Sequence, residues 1–203
     1  FGWGKNSAEF ELTVPANCEL LVNTSGGSIN VKNVTGNKHR LNTSGGSVKL
    51  AGLEGELSVS TSGGSISVVD SHGDKTLRTS GGGVRVETSE GSVDATTSGG
   101  TIKLDGVSGE VNAKTSGGGI TITLTGKNQG VVARTSGGSI KVYGPVNLAA
   151  KLDASTSGGS VYCGYHVTST GTFDKNEIHG SMNGGGPKIN LSTSGGSIKI
   201  APK

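Results

Sequence analysis

The sequence predicts an all-β fold: a single-stranded parallel β-helix, or β-solenoid, of about ten coils with a repeat of ~18 residues. Three observations carry that expectation. One tetrapeptide returns at near-constant spacing, aliphatic residues alternate in two short runs per repeat, and the composition suits only a thin core.

The tetrapeptide is Thr-Ser-Gly-Gly, beginning at Thr24, Thr43, Thr61, Thr79, Thr97, Thr115, Thr135, Thr156 and Thr193. Its successive spacings are 19, 18, 18, 18, 18, 20, 21 and 37 residues, the last close to two periods. With Thr as position 1, aliphatic residues recur at positions 6 and 8, as in Val48/Leu50, Ile66/Val68, Val84/Val86 and Ile102/Leu104. They recur at 15 and 17, as in Leu57/Val59, Val93/Ala95 and Val111/Ala113. Alternation with a period of two means a strand with one buried face, so each repeat holds two short strands. The glycine pair at positions 3 and 4 separates them, and a second bend falls around positions 9 to 13, where Gly55, Gly73, Gly91 and Gly109 recur. No strand is followed by a helical pattern, which excludes an α/β fold. A meander would not need the same corner every ~18 residues, whereas a coil stacked on its own copy does. The preference of parallel crossovers favours a right-handed winding.

Composition agrees. Of 203 residues 38 are Gly and only seven are aromatic (three Phe, three Tyr, one Trp). Val, Leu, Ile and Phe make up about 22% of the chain, near the level at which chains stay disordered. The net charge of only +3 and the strict apolar order argue against disorder. The expected division is one solenoid domain over 1–203. It comprises an N-terminal cap and first strands (1–23), regular coils (24–165), an irregular coil or excursion (166–187) and a last coil (188–203). Phe1, Trp3, Phe10, Leu12 and Val14 are expected to cap the first coil, while Ile198, Ile200 and Pro202 close the last. Pro202 and Lys203 would there discourage edge pairing. Cys18 and Cys163 stand about seven coils, or roughly 30 Å, apart, too far for a disulfide. No run approaches the ~20 apolar residues of a transmembrane segment. The opening Phe1-Gly-Trp-Gly shows no signal peptide and reads as a trimmed mature fragment.

Reactive constellations are missing from the pattern. His39, His72, His166 and His179 occupy unrelated repeat positions, and the aspartates Asp70, Asp74, Asp94, Asp105, Asp153 and Asp174 scatter along the axis. The corner Ser-Gly-Gly-Ser lacks the Asp of calcium-binding nonapeptide rolls and the Lys of a phosphate loop. Only Thr121-Ile122-Thr123 has the spacing of an ice-binding row. No catalytic residue, cofactor or metal site is therefore expected, and the chain is read as not an enzyme. The alternative is a carbohydrate-active β-helix with its site near 166–187, drawing on His166, His179 or Asp174.

One surface feature follows from the register. Position 7 lies between two buried aliphatics and must point outward; it holds Asn30, Lys49, Ser67, Arg85, Lys103, Thr121, Lys141, Tyr162 and Lys199. The five cations Lys49, Arg85, Lys103, Lys141 and Lys199 form a broken basic row, a candidate strip for anions or glycans. Arg78, Lys114 and Arg134, each the last residue before the next Thr, lie near it on the other strand, and Glu87, Asp105, Glu56, Asp74 and Glu110 border it. A solvated, aggregation-resistant face is the plainer reading. With few aromatics and these neighbouring acids, nucleic acid is not an expected partner.

The coil Leu-x-Val-x-Thr-Ser-Gly-Gly-Ser-Ile-x-Val, the opening Leu12-Thr-Val-Pro15 and the late Asn183-Gly-Gly-Gly-Pro187 leading into Leu191–Ile200 resemble a bacterial adhesin-like family. The resemblance runs from about Glu9 to Ile200. It implies a β-solenoid of undefined function at the cell envelope, surface-exposed or secreted, with a cell-surface glycan or protein as partner. It supplies no catalytic or ligand residues.

Overall fold

The computed structural model describes residues 10–169 and 174–203. Its strands in chain order are β1 (Leu20–Thr24), β2 (Ile29–Thr43), β3 (Val48–Thr61), β4 (Ile66–His72), β5 (Lys75–Arg78), β6 (Val84–Glu90), β7 (Val93–Thr96), β8 (Ile102–Ser108) and β9 (Val111–Lys114). There follow β10 (Ile120–Leu124), β11 (Val131–Thr135), β12 (Ile140–Gly144), β13 (Ala150–Thr156), β14 (Val161–Cys163), β15 (Val167–Thr168), β16 (Glu177–Met182), β17 (Lys188–Thr193) and β18 (Ile198–Pro202). Pairing between coils is parallel and in register, so like positions stack, for example Val84 on Ile66 and Ile102 on Val84. The fold is the expected parallel β-solenoid.

The core is one aliphatic column per inward position. Ile66, Val68, Val86, Leu104, Val111 and Ile140 are fully buried. The repeated Thr faces inward too, and its hydroxyl is fully used. Thr79 Oγ1 donates to the Gly64 carbonyl of the previous coil at 2.8 Å and accepts the Gly82 amide of its own corner at 3.3 Å. This brings the position-4 glycines onto the carbonyls below them. A Cβ on Gly82 would lie 2.1 Å from Gly64 O, and on Gly100 2.0 Å from Gly82 O, so any larger residue collides with backbone. At position 3 the space is ordinary: a Cβ on Gly81 would meet its nearest atom at 3.4 Å. The corner is therefore invariant in length, and irregular spacings are absorbed at the opposite bend. The 19-residue first repeat slips register between Thr35 and Lys38, and the 20-residue repeat slips between Thr123 and Leu124. That bend turns through left-handed backbone at position 10, where Asn33, Gly52, Asp70, Thr88 and Gly106 have φ of 56°, 65°, 53°, 49° and 71°.

Coil order departs from the expectation. About seven turns wind consecutively from Leu20 to Gly144, rather than ten. Two more rungs follow in reversed order. β17 pairs with β11 on one side and β13 on the other; β18 lies between β12 and β14. The coil that is last in the chain is thus inserted one layer inside the end. Ile198 and Ile200 do not close the solenoid, being 1% and 0% exposed between Ile140/Val142 and Val161/Cys163. Nor do Pro202 and Lys203 discourage pairing, since Pro202 stands opposite Gly144 and the Lys203 amide donates to Gly144 O at 3.0 Å.

The stretch before β17 is an excursion that caps the end. β16 lies antiparallel on β13 from Ala150↔Met182 to Ser155↔Glu177, and β15 lies antiparallel on β16. The Thr156 and Val161 amides donate to Asn176 and Lys175 carbonyls at 2.9 Å each. An antiparallel strand ends a parallel stack because it presents the wrong hydrogen-bond pattern for another coil. Three loops hold this arrangement. Asn128 is 8% exposed; its Nδ2 donates to Pro187 O at 2.7 Å and Ala149 O at 3.3 Å, while its Oδ1 accepts the Gly130 amide at 2.9 Å. Asn183 Nδ2 donates to Leu148 O at 2.9 Å, and Tyr165 Oη to Gly144 O at 3.0 Å.

At the other end, the expected aromatic cap is not seen in its described part. Phe10 and Leu12 are 85% and 82% exposed and Val14 41%, covering nothing; Phe1 and Trp3 lie outside the described residues, as does Phe173. Cys18 and Cys163 are free thiols at opposite ends of the stack.

Candidate functional site

Alternation along β3, β6, β8, β12, β14 and β18 turns every position-7 side chain outward, as the register requires. Parallel pairing then stacks them rung on rung at about 4.8 Å. The order along the axis is Asn30, Lys49, Ser67, Arg85, Lys103, Thr121, Lys141, Lys199 and Tyr162. Insertion of the final coil places Lys199 against Lys141, ahead of Tyr162 rather than beyond it.

The row divides electrostatically. In its middle, Arg85 is ion-paired with Glu87. Asp105 sits beside Lys103 and accepts Lys203 Nζ at 3.3 Å; that hydrogen bond, chiefly, holds its carboxyl below the usual range. Toward the capped end no such compensation occurs. Lys141 and Lys199 form no ion pair among the described residues, and Lys199 Nζ stands 5.9 Å from the centroid of the Tyr162 ring. Across the corner, Arg78 is bonded to Asp94 at 3.4 Å, whereas Lys114 and Arg134 stack on each other. Of the acids expected to border the row, Glu56 is held by Lys38 at 2.8 Å. Asp74 accepts the Ser92 amide at 2.9 Å, which lowers its pKa.

The excursion brings together only part of the alternative site. His179 Nδ1 is 3.1 Å from Asp153, its Nε2 contacts Glu177, and Lys188 Nζ is 2.7 Å from the other Asp153 oxygen. The Glu177 hydrogen bond, foremost, raises the His179 pKa. With a carboxylate on each ring nitrogen, this imidazole has no free lone pair to act as a base. The cluster joins β16, β13 and β17, and its chemistry is that of an ion-paired clasp. His166 is exposed, and among the described residues Asp174 meets the cluster through a backbone bridge to Glu177.

Two buried polar groups escaped the sequence reading. Lys75 at position 15, and His39 at the equivalent place in the 19-residue first repeat, face inward in line with Leu57 and Val93. Lys75 is 2% exposed; its ammonium donates to Glu90 O at 2.7 Å and to Gly73 O, and burial pushes its pKa down to about 8. His39 Nε2 donates to Glu54 O at 3.0 Å. Both use the same slot, the carbonyl 15 residues ahead in the next coil. Counting back four residues from the Thr that opens the next repeat would have found both, since Leu57, Val93 and Val111 stand at the same place. Ser71 and Ser89 at position 11, both 2% exposed, take the places that Leu53 and Val107 hold in the flanking coils.

A family model for Toastrack DUF4097 matches residues 4–201. The chain belongs to the Toastrack family. That family is a domain of unknown function, so membership supports the solenoid and assigns no activity or ligand residues to this Toastrack chain. No curated protein and no solved structure shows significant similarity to it. No helix among the described residues is long and apolar enough to cross a membrane.

Proposed function

We propose that this Toastrack solenoid is a non-catalytic binding module of the bacterial cell envelope, surface-exposed or secreted, whose position-7 row meets an anionic cell-surface polymer. The observation that supports it is the row itself: five cations on one face, in register over eight rungs from Lys49 to Tyr162, on a rigid scaffold. A regular lattice of charge suits a repeating polymer better than a single small molecule, because each rung offers an equivalent contact. The adhesin-like role follows from this reading. The engaged state of His179 favours a structural use of the excursion over the carbohydrate-cleaving alternative.

Changing Lys49, Arg85 and Lys103 together to Glu tests the row. Retention of the triple variant on an acidic-polysaccharide surface should fall by at least about tenfold, and more at low salt. Unchanged retention removes the row from consideration. Turnover of an acidic polysaccharide that is lost in His179→Gln would instead establish the catalytic alternative.

A further inference from the structure

We propose that the capped end of the row is a discrete site for an acidic pyranose oligosaccharide, formed by Lys141, Lys199, Tyr162 and Tyr143. The proposal rests on the reading of the row as an anion-binding surface and names where, and for what chemistry, it is selective. Lys141 and Lys199 are cross-strand neighbours on adjacent rungs, and Tyr162 is the next partner of Lys199. Tyr143 is two residues along β12 from Lys141 and therefore on the same outward face. The two tyrosines thus stand at diagonal corners, two rungs or about 10 Å apart along the axis. Between them the outward residues beside Lys199 and Tyr162 are small, Ala201 and Gly164.

Three physical features single this patch out. Like charges directly opposite each other on neighbouring strands are destabilising. Arg85 and Lys103 are also neighbours, but carboxylates stand beside both, whereas Lys141 and Lys199 have no ion partner among the described residues. An anion bound between the two ammonium groups would relieve that repulsion. The second feature is aromatic. Tyr162 is 58% exposed, and Lys199 Nζ stands 5.9 Å from its ring centroid, at the outer edge of cation–π range. An exposed ring beside an ammonium presents a flat apolar surface for the C–H face of a pyranose. The third is the field: the stacked Lys114 and Arg134, across the corner on neighbouring rungs, add positive potential at the same end. Lysine ammonium groups alone would accept any polyanion. The tyrosines make a sugar ring the better fit.

Titration calorimetry of the full chain with tetragalacturonate, and separately with inorganic polyphosphate, tests this. Lys199→Gln and Tyr162→Ala should each weaken tetragalacturonate binding about tenfold, while Lys49→Gln, six rungs away along the row, should weaken it by clearly less than either. Tyr162→Ala should leave polyphosphate binding nearly unchanged. All three positions lie on the exposed face, and an unaltered melting midpoint verifies the fold of each variant. If Tyr162→Ala has no effect, or Lys49→Gln weakens binding as much as Lys199→Gln, the site is overturned and the uniform row stands. Should the wild-type chain bind neither polymer, row and site both fall.

Discussion

The solenoid contains two regions built from the same repeat and ordered differently. From Leu20 to Gly144 each coil stacks on the one before it in the chain. Beyond Gly144 the coil at 188–203 lies inside the coil at 150–163, although both carry Thr-Ser-Gly-Gly and pair in the same register. Thr193 Oγ1 donates to Gly138 O and Thr156 Oγ1 to Gly196 O, at 2.7 and 2.6 Å, just as each Thr from Thr43 to Thr135 bonds to the coil beneath it. The contrast teaches that the repeat specifies how two coils pair but not which two. Neighbour choice belongs to the connections: Asn128, Asn183 and Tyr165 bind the loops, and β16 covers the outer edge of β13.

The largest effect should come from breaking the corner in each region separately. Gly82→Ala places a methyl 2.1 Å from Gly64 O, and Gly196→Ala one 2.2 Å from Gly138 O. Each should cost more than about 3 kcal/mol, as a backbone collision that the stack cannot relax. By hydrogen exchange, Gly82→Ala should open the consecutive turns, whereas Gly196→Ala should release 188–203 and leave 48–114 protected. Gly81→Ala, with ordinary space around its Cβ, should move the urea midpoint little; a loss equal to that of Gly82→Ala would refute the assignment.

Next in size is Lys75, inside the consecutive turns. Its folded pKa of about 8 lies below its unfolded value near 10.4, so between these the unfolded chain binds more protons and stability rises with pH. The gain across that window should reach about 3 kcal/mol and vanish in Lys75→Met, which should itself be neutral to stabilising at pH 7. Urea titrations at pH 7 and pH 10 measure both.

Asn128→Ala probes the reversed region. Losing three hydrogen bonds from a buried amide should cost about 2 kcal/mol. The exchange rates of β17 and β18 should rise before those of β6 to β8; uniform exchange would mean that the loops do not select the order. The smallest effect belongs to His179→Gln, whose half-exposed clasp contributes well under about 1 kcal/mol. Its pKa is raised, so the contribution is full below the unfolded value near 6.5 and fades as pH rises through the folded value. Measured against the intrinsic, base-catalysed exchange rate, protection of the cap should thus fall with rising pH in the wild type and stay level in the variant.

The division of labour between sequence and tertiary structure follows from range. Sequence alone determined the solenoid, its inward Thr, its corner and its outward row. Each of these is set by alternation within a strand and by glycine at a bend, which are properties of a few adjacent residues. It also contained Lys75 and His39, legible once the residue four before each following Thr is counted through polar as well as apolar side chains. It could not reveal the insertion of 188–203, because coils with the same motif offer the same edges and stacking energy is degenerate in their order. Long-range bonds such as Asn128 to Pro187 and the antiparallel cover of β13 lifted that degeneracy. The pairing of Lys141, Lys199 and Tyr162 depends on the same event. In chain order Lys199 would lie beyond Tyr162, and only the inserted coil sets two lysines side by side next to an aromatic ring.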